Sequence, residues 1–312
     1  MPEQKIGVLV MSYGTPESME QIEGYYTHIR HGRPPTAEQL AELKGRYEAI
    51  GGGVFPLRQN TDRQVAELER TINRLRPGVR FVCYQGMKHA RPFVEDGVRR
   101  MAEDGIREAV GIVLAPHYSA MSIGEYVRRA REAAQQCSLS LRFVLSYHLH
   151  PKLIEAFAAR VNAALRKFID GPGAVKVVFT AHSLPEKILE WKDPYPEQLK
   201  ATARAIAERT GLTDWMLGWQ SAGKSDIPWL GPDILDILRS IRNEGGRNVL
   251  VCPIGFVSDH LEILYDLDIE AKALAGELGL HFERTESLNT DPLYMETLSE
   301  AVLAELERPE QG

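Results

Sequence analysis

Apolar residues run along this chain in two alternating patterns. Short continuous stretches predict strands at Ile6–Met11, Arg80–Gln85, Ala109–Ala115, Leu141–Ser146, Val175–Thr180, Trp215–Trp219, Asn248–Pro253 and His281–Arg284. Between them, apolar positions recur every three to four residues, which predicts helices such as Arg63–Leu75, Ile123–Gln136, Leu153–Phe168 and Gln198–Arg209. Strands that alternate with helices indicate parallel sheets and a doubly wound α/β architecture.

The eight strands divide into two sets of four at the turn cluster Asp170-Gly-Pro-Gly173. Two Rossmann-like lobes are therefore expected, over residues 1–170 and 171–312, each a four-stranded parallel sheet flanked by helices, with a cleft between them. Residues 14–59 are too long for a simple crossover and read as an inserted cap. A last helix, Pro292–Leu306, is expected to pack back across the first lobe. Ligands of open α/β sheets bind beyond the carboxyl ends of the strands. Those ends carry Tyr13, His89, His117, His182, Trp219, His260 and Glu262.

Composition narrows the partners. Hydrophobic residues make up 44% and charged residues 26%, ordinary for a soluble protein, and the net charge of −6 comes with no basic block for nucleic acid. No apolar run approaches the roughly 18 residues that cross a bilayer, and the first residues lack a signal-peptide pattern, so a cytoplasmic protein is expected. Cys83, Cys137 and Cys252 are widely spaced without a CxxC pair and read as inert thiols, with no sign of an iron–sulfur cluster. Gly51-Gly52-Gly53 is not a phosphate loop, since no Gly-Lys-Ser/Thr follows it, Ser12-Tyr-Gly lacks the GxGxxG spacing, and GxSxG and HExxH motifs are missing.

The strand-end residues carry the chemistry. His182 can take a proton near neutral pH or coordinate a borderline metal; the plain alternative is a turn histidine satisfied by backbone. Glu262 has two readings. With Asp259 three residues ahead it forms a capping-box pattern, which explains it without function. With Asp266 and Glu270 it recurs at i, i+4 and i+8, an acidic row that draws cations or protons toward a site, or a solvated face. On a regular helix His260 and Glu262 diverge by about 200° and cannot share a site, so His260 reads as support. In the cap, Arg30 and Arg46 with Tyr25, Tyr26 and Tyr47 suit a planar ligand bearing carboxylates, although each arginine alone reads as a solvated residue.

The chain resembles the ferrochelatases, the enzymes that insert Fe²⁺ into a porphyrin. The matching stretches are Met11-Ser-Tyr13-Gly-Thr-Pro, Leu43-Lys-Gly-Arg46-Tyr47-Glu-Ala-Ile-Gly-Gly, Leu114-Ala-Pro-His-Tyr-Ser, Thr180-Ala-His182-Ser-Leu-Pro, Asp193-Pro-Tyr-Pro, Trp219-Gln-Ser, Trp229-Leu-Gly-Pro and Gly255-Phe-Val-Ser-Asp-His-Leu-Glu262-Ile-Leu-Tyr-Asp. They run nearly end to end in family order.

The resemblance implies a chelatase-like fold, with His182 and Glu262 as the iron-binding and catalytic pair and Tyr13 facing the porphyrin iron from the opposite side. Arg30, Arg46, Tyr47 and Tyr126 fall at substrate-binding positions, and Asp266 and Glu270 form the acidic relay. The soluble bacterial branch implies coproporphyrin III as substrate and coprohaem as product; protoporphyrin IX is the alternative. A tetrapyrrole or metal carrier without chemistry, and a cobalt chelatase, are the readings from other classes. Iron is then a substrate, and no permanent cofactor or iron–sulfur cluster is implied. A monomer that hands its product to the next haem-pathway enzyme is expected. One departure stands out: the family's Gly-Gly-x-Ser-Pro-Leu is Gly51-Gly-Gly-Val-Phe55-Pro-Leu here, which removes a hydroxyl and offers Phe55 to the macrocycle.

Overall fold

The computed structural model describes residues 5–169, 171, 174–224 and 227–309. Its strands are β1 (Lys5–Ser12), β2 (Arg80–Met87), β3 (Glu108–Val113), β4 (Ser140–Val144), β5 (Val175–His182), β6 (Trp215–Gln220), β7 (Asn248–Cys252) and β8 (His281–Arg284). All pair in parallel, in two sheets ordered β2-β1-β3-β4 and β6-β5-β7-β8. Central parallel strands are buried on both faces, so they read as continuous apolar runs. Val8, Leu9, Val10 and Met11 of β1 and Val177, Val178 and Phe179 of β5 are fully buried.

Eleven α-helices are described: α1 (Ile22–Ile29), α2 (Ala37–Ala49), α3 (Pro56–Leu75), α4 (Val94–Glu103), α5 (Ile123–Gln136), α6 (Pro151–Leu165), α7 (Tyr195–Thr210), α8 (Ile234–Asn243), α9 (Leu261–Leu264), α10 (Lys272–Glu277) and α11 (Pro292–Glu307). A π-helical segment, Asp266–Ala271, separates α9 from α10. The crossover helix α3 starts seven residues before the expected Arg63, because Pro56 supplies a pre-set first turn. The cap region holds α1 and α2; Thr36 and Gln39 close a reciprocal capping box at the head of α2.

Two compact units emerge. One comprises Met1–Tyr147 with Asn289–Gly312, the other His148–Leu288. The division therefore falls ahead of α6 and not at the Asp170–Gly173 cluster, of which Asp170, Pro172 and Gly173 lie outside the described residues. The physical reason is packing: α6 lies against α7 and β7. In the first unit α11 packs on α3, β3 and β4. Tyr147 donates its hydroxyl to the Val113 carbonyl at 3.1 Å and receives Tyr294 from α11 at 3.2 Å. Arg142 of β4 donates to the carbonyls of Leu306 and Arg308 at 3.3 and 2.7 Å.

Cys83, Cys137 and Cys252 are free thiols, and burial pushes the Cys252 thiol far above its ordinary range. No described helix is long and apolar enough to cross a membrane.

Candidate active site

In a sheet ordered β6-β5-β7-β8, the chain leaves β5 toward one side and β7 toward the other, so the crevice beyond their carboxyl ends is a switch point. His182 is the last residue of β5, and Glu262 follows β7 by ten positions. Strand β5 runs two residues beyond its expected end, which places His182 in register with Gln220 of β6. Gly255, in the turn after β7, lets this happen: a Cβ there would lie 2.4 Å from the Ala181 Cβ. Its amide donates to the Thr180 carbonyl at 3.1 Å.

His182 Nε2 lies 3.6 Å from Glu262 Oε1, and His260 Nε2 lies 3.6 Å from Glu262 Oε2. Each imidazole uses Nδ1 on a backbone carbonyl, His182 on Ser183 and His260 on Ser258 at 2.9 Å. A carbonyl only accepts, so both Nδ1 atoms carry hydrogen and both Nε2 atoms face the carboxylate. With unprotonated Nε2 atoms, three lone-pair-bearing groups confront one another, an arrangement that only a proton or a cation between them relieves. Burial disfavours the charged imidazolium of His182. The facing Glu262 carboxylate, the Ser183 carbonyl and Asp266 outweigh it and raise His182 above the ordinary imidazole range. Burial alone would likewise lift the Glu262 carboxyl; His182, with His260 behind it, holds it below the usual carboxylate range instead.

A buried polar frame fixes the backbone that carries His182 and Glu262. Thr180 Oγ1 donates to Gln220 Oε1 at 2.9 Å, and Gln220 Nε2 donates to the Glu262 carbonyl at 3.2 Å. The Ser183 amide donates to the Gln220 carbonyl at 2.8 Å. Tyr195 donates to the His182 carbonyl at 3.1 Å.

Three sequence expectations change here. Asp259 does not cap the helix: the N-cap is His260 in extended conformation, so there is no capping box to account for Glu262. The same extended backbone removes the angular objection to His260, which reaches Glu262 after all. The acidic row is not one regular helical face, because α9 ends at Leu264 and a π-helical segment follows. Asp266 is buried and accepts from the Ser221 hydroxyl, while Glu270 is exposed.

In the first unit, Tyr13 follows the end of β1, 43% exposed, with its ring centroid 4.6 Å from His89. Gly14 turns the chain behind it at φ +88°. His89 and Lys88 close β2; Lys88 pairs with Glu125 at 2.5 Å, and Arg129 grips Glu95 through two 2.7 Å bonds and donates to the Lys88 carbonyl. Arg30 ends α1 with its guanidinium 5.6 Å over the Tyr26 ring, and Arg46 is half-buried in α2. The remaining candidates are core residues. Tyr47 is buried, 3.1 Å from the Thr15 hydroxyl. Phe55, only 6% exposed, packs 4.8 Å from the Tyr47 ring and is not a free face for a flat ligand; its neighbour Val54 is the exposed apolar side chain. Tyr126 is 4% exposed within the apolar cluster under β1 and β3. Sequence reasoning left Gln220, Arg284 and Arg129 unassigned; Gln220 and Arg284 end β6 and β8, where the strand-end rule points.

Two imidazoles and a carboxylate thus meet at the switch point, and groups of this kind exchange protons or bind divalent ions. Among the described residues no group of three or more His, Cys, Asp or Glu is arranged to hold a metal ion. In fold the chain resembles the sirohydrochlorin chelatase SirB from Bacillus subtilis subspecies spizizenii in complex with cobalt, at a TM-score of 0.61 and 10% identity over 98% of this chain and 97% of that one.

The family is shown by sequence. The ferrochelatase model matches residues 5–306, and this chain belongs to the ferrochelatase family, enzymes that insert iron into a porphyrin. A coproporphyrin III ferrochelatase from Halalkalibacterium halodurans is 46% identical over 99% of this chain and 100% of its own length. Proteins of the same name from Geobacillus thermodenitrificans and Bacillus subtilis are 47% and 44% identical, over 98% and 99% of this chain and 98% and 100% of their own lengths.

Proposed function

We propose that the porphyrin is coproporphyrin III, that the product is its iron complex, and that His182 and Glu262 deliver the iron. The observation that carries the residue assignment is the pair of 3.6 Å approaches of two Nε2 atoms to one carboxylate. The substrate assignment is supported by relatives of that name at 44–47% identity across nearly the whole chain.

Insertion exchanges one Fe²⁺ for two pyrrole protons. Iron binding at His182 Nε2 and Glu262 displaces the proton they share, since metal and proton compete for one lone pair. When the iron passes to the porphyrin nitrogens, the vacated groups become bases: His182 Nε2 takes one pyrrole proton, and Glu262 with His260 Nε2 takes the other. Asp266 and exposed Glu270 extend this acidity outward. Few protein ligands speed release, because a full coordination set would hold the ion. Tyr13 is the phenol offered to the porphyrin iron, and Arg30 and Arg46 supply guanidinium groups of the kind that pair with propionates. No resident cofactor is needed. A cytoplasmic monomer that hands coprohaem onward completes the reading; fractionation and light scattering test those parts.

Anaerobic assays of Fe²⁺ insertion into coproporphyrin III and protoporphyrin IX decide the substrate. Higher kcat/KM with coproporphyrin III is expected. Preference for protoporphyrin IX overturns the substrate assignment, and tight porphyrin binding without any metalloporphyrin spectrum would mark a carrier.

A further inference from the structure

Asp259 has the composition of a helix cap, yet its carboxylate is engaged elsewhere. It accepts from Ser287 Oγ at 2.7 Å and lies 3.4 Å from Arg284 Nη1. Arg284, the last residue of β8, is itself fixed by a bidentate pair to Asp268: Nε to Oδ1 and Nη2 to Oδ2, both 2.7 Å. Its Nη1 also donates to the Thr285 carbonyl at 2.9 Å. One guanidinium thus ties the loop ahead of α9 to the π-helical segment behind it.

The consequence falls on His260. With its carboxylate held by Arg284 and Ser287, Asp259 does not reach the amides of the first turn, and the helix begins only after His260. His260 stays extended (φ −157°, ψ −177°), its Nδ1 on Ser258 and its Nε2 on Glu262. A helix begun at Asp259 would carry His260 about 200° away from Glu262 around its axis.

We infer that Arg284 is a positioning residue for metal delivery: by withholding Asp259 from the helix N-terminus it keeps His260 against Glu262. This rests on the proposed role of Glu262 and adds a residue that touches neither iron nor porphyrin.

The test compares Arg284→Met, Arg284→Met with Asp259→Ala, and Asp259→Ala in the full chain. Crystal structures read the His260–Glu262 separation; steady-state assays read kcat and KM for Fe²⁺ and for porphyrin. Arg284→Met takes away the charged holder of Asp259 and leaves the Ser287 hydroxyl to compete with the helix amides, so that Asp259 shifts to the cap, His260 moves off Glu262, and kcat/KM for Fe²⁺ falls by about tenfold to a hundredfold, the range for a lost supporting partner. KM for porphyrin stays unchanged. Adding Asp259→Ala removes the competing cap and recovers most of the loss, a rescue that a merely structural arginine would not show. Should Arg284→Met fail to fold, Arg284→Lys keeps one contact to Asp268, releases Asp259, and carries the same comparison. His260 still beside Glu262 in the single variant, or no recovery in the double variant, overturns the inference. The separation is read without iron chemistry, so failure here is distinct from failure of the catalytic assignment.

Discussion

His260 and Glu262, two residues apart, meet across 3.6 Å because the residue between them, Leu261, is where the helix begins. An extended residue followed by a helical one lets these i, i+2 side chains converge, which a regular helix, turning about 200° between them, does not permit. One carboxylate is thereby shared between two imidazoles. Most of the expected behaviour of this protein follows from that sharing.

Replacing His182 with Ala removes the group best placed to exchange metal for proton. Turnover should fall by about a hundredfold to ten-thousandfold, the usual worth of a positioned acid or base. Porphyrin affinity, read by fluorescence titration, should stay within about twofold, since a ligand contact that does not change leaves binding untouched. Near-normal turnover would remove His182 from the mechanism.

The pH dependence has a definite sign. Glu262 holds His182 above the ordinary imidazole range, so Glu262→Gln should lower the His182 pKa, as burial is then opposed by the Ser183 carbonyl and Asp266 without the facing carboxylate. NMR titration of the imidazole would read this directly. Stability follows by linkage. The raised His182 contributes fully below the unfolded-state value of roughly 6.5 and loses its contribution as pH rises through the folded value. The depressed Glu262 contributes above roughly 4.3 and loses it as pH falls through its own folded value. The difference in Tm between the parent and Glu262→Gln should be largest between about pH 4.3 and 6.5 and shrink on the alkaline side. A difference that grew with pH above neutrality would contradict the pairing.

Gln220→Leu should damage the site without touching its charged groups. It strips Thr180 of its acceptor and the Glu262 carbonyl of its donor, both in buried surroundings. A cost of about 2 kcal/mol in urea unfolding is expected for the unsatisfied groups. The lost frame should appear as lower kcat with KM for porphyrin unchanged.

Gly255→Ala tests how closely β7's turn must approach β5. The added methyl would meet Ala181 inside van der Waals contact, beside His182. Overpacking of this kind costs about 1–3 kcal/mol. Activity should fall further than stability alone explains, because the strain is relieved by moving the residue that precedes His182. Full activity with an unchanged Tm would show that the turn yields freely.

Much of the architecture is legible in the sequence because buried parallel strands leave no ambiguity of period. β1, β5 and β7 show as uninterrupted apolar runs, and the strand-end rule then selects His182 and Glu262. What the sequence hides is competition between distant partners. Asp259 looks like a cap until Arg284 and Ser287, more than twenty residues later, take its carboxylate. Glu262, Asp266 and Glu270 look like one helical face until a π-helical segment intervenes. Tyr126 falls at a substrate-binding position of the family and Phe55 is offered to the macrocycle, yet Tyr47 and the first unit's core bury them, an outcome no local pattern encodes.

The return of α11 to the first unit has a consequence for how the molecule is made. Residues 148–288 are emitted by the ribosome before Asn289–Glu307, so the second unit has all of its strands in hand while the first still lacks a helix. Until α11 emerges, Tyr147, the partner of Tyr294, and the faces of α3, β3 and β4 that α11 covers wait uncovered. Such a nascent chain offers exposed strands to chaperones, and a translational arrest between residues 288 and 307 would harm the first unit more than the second.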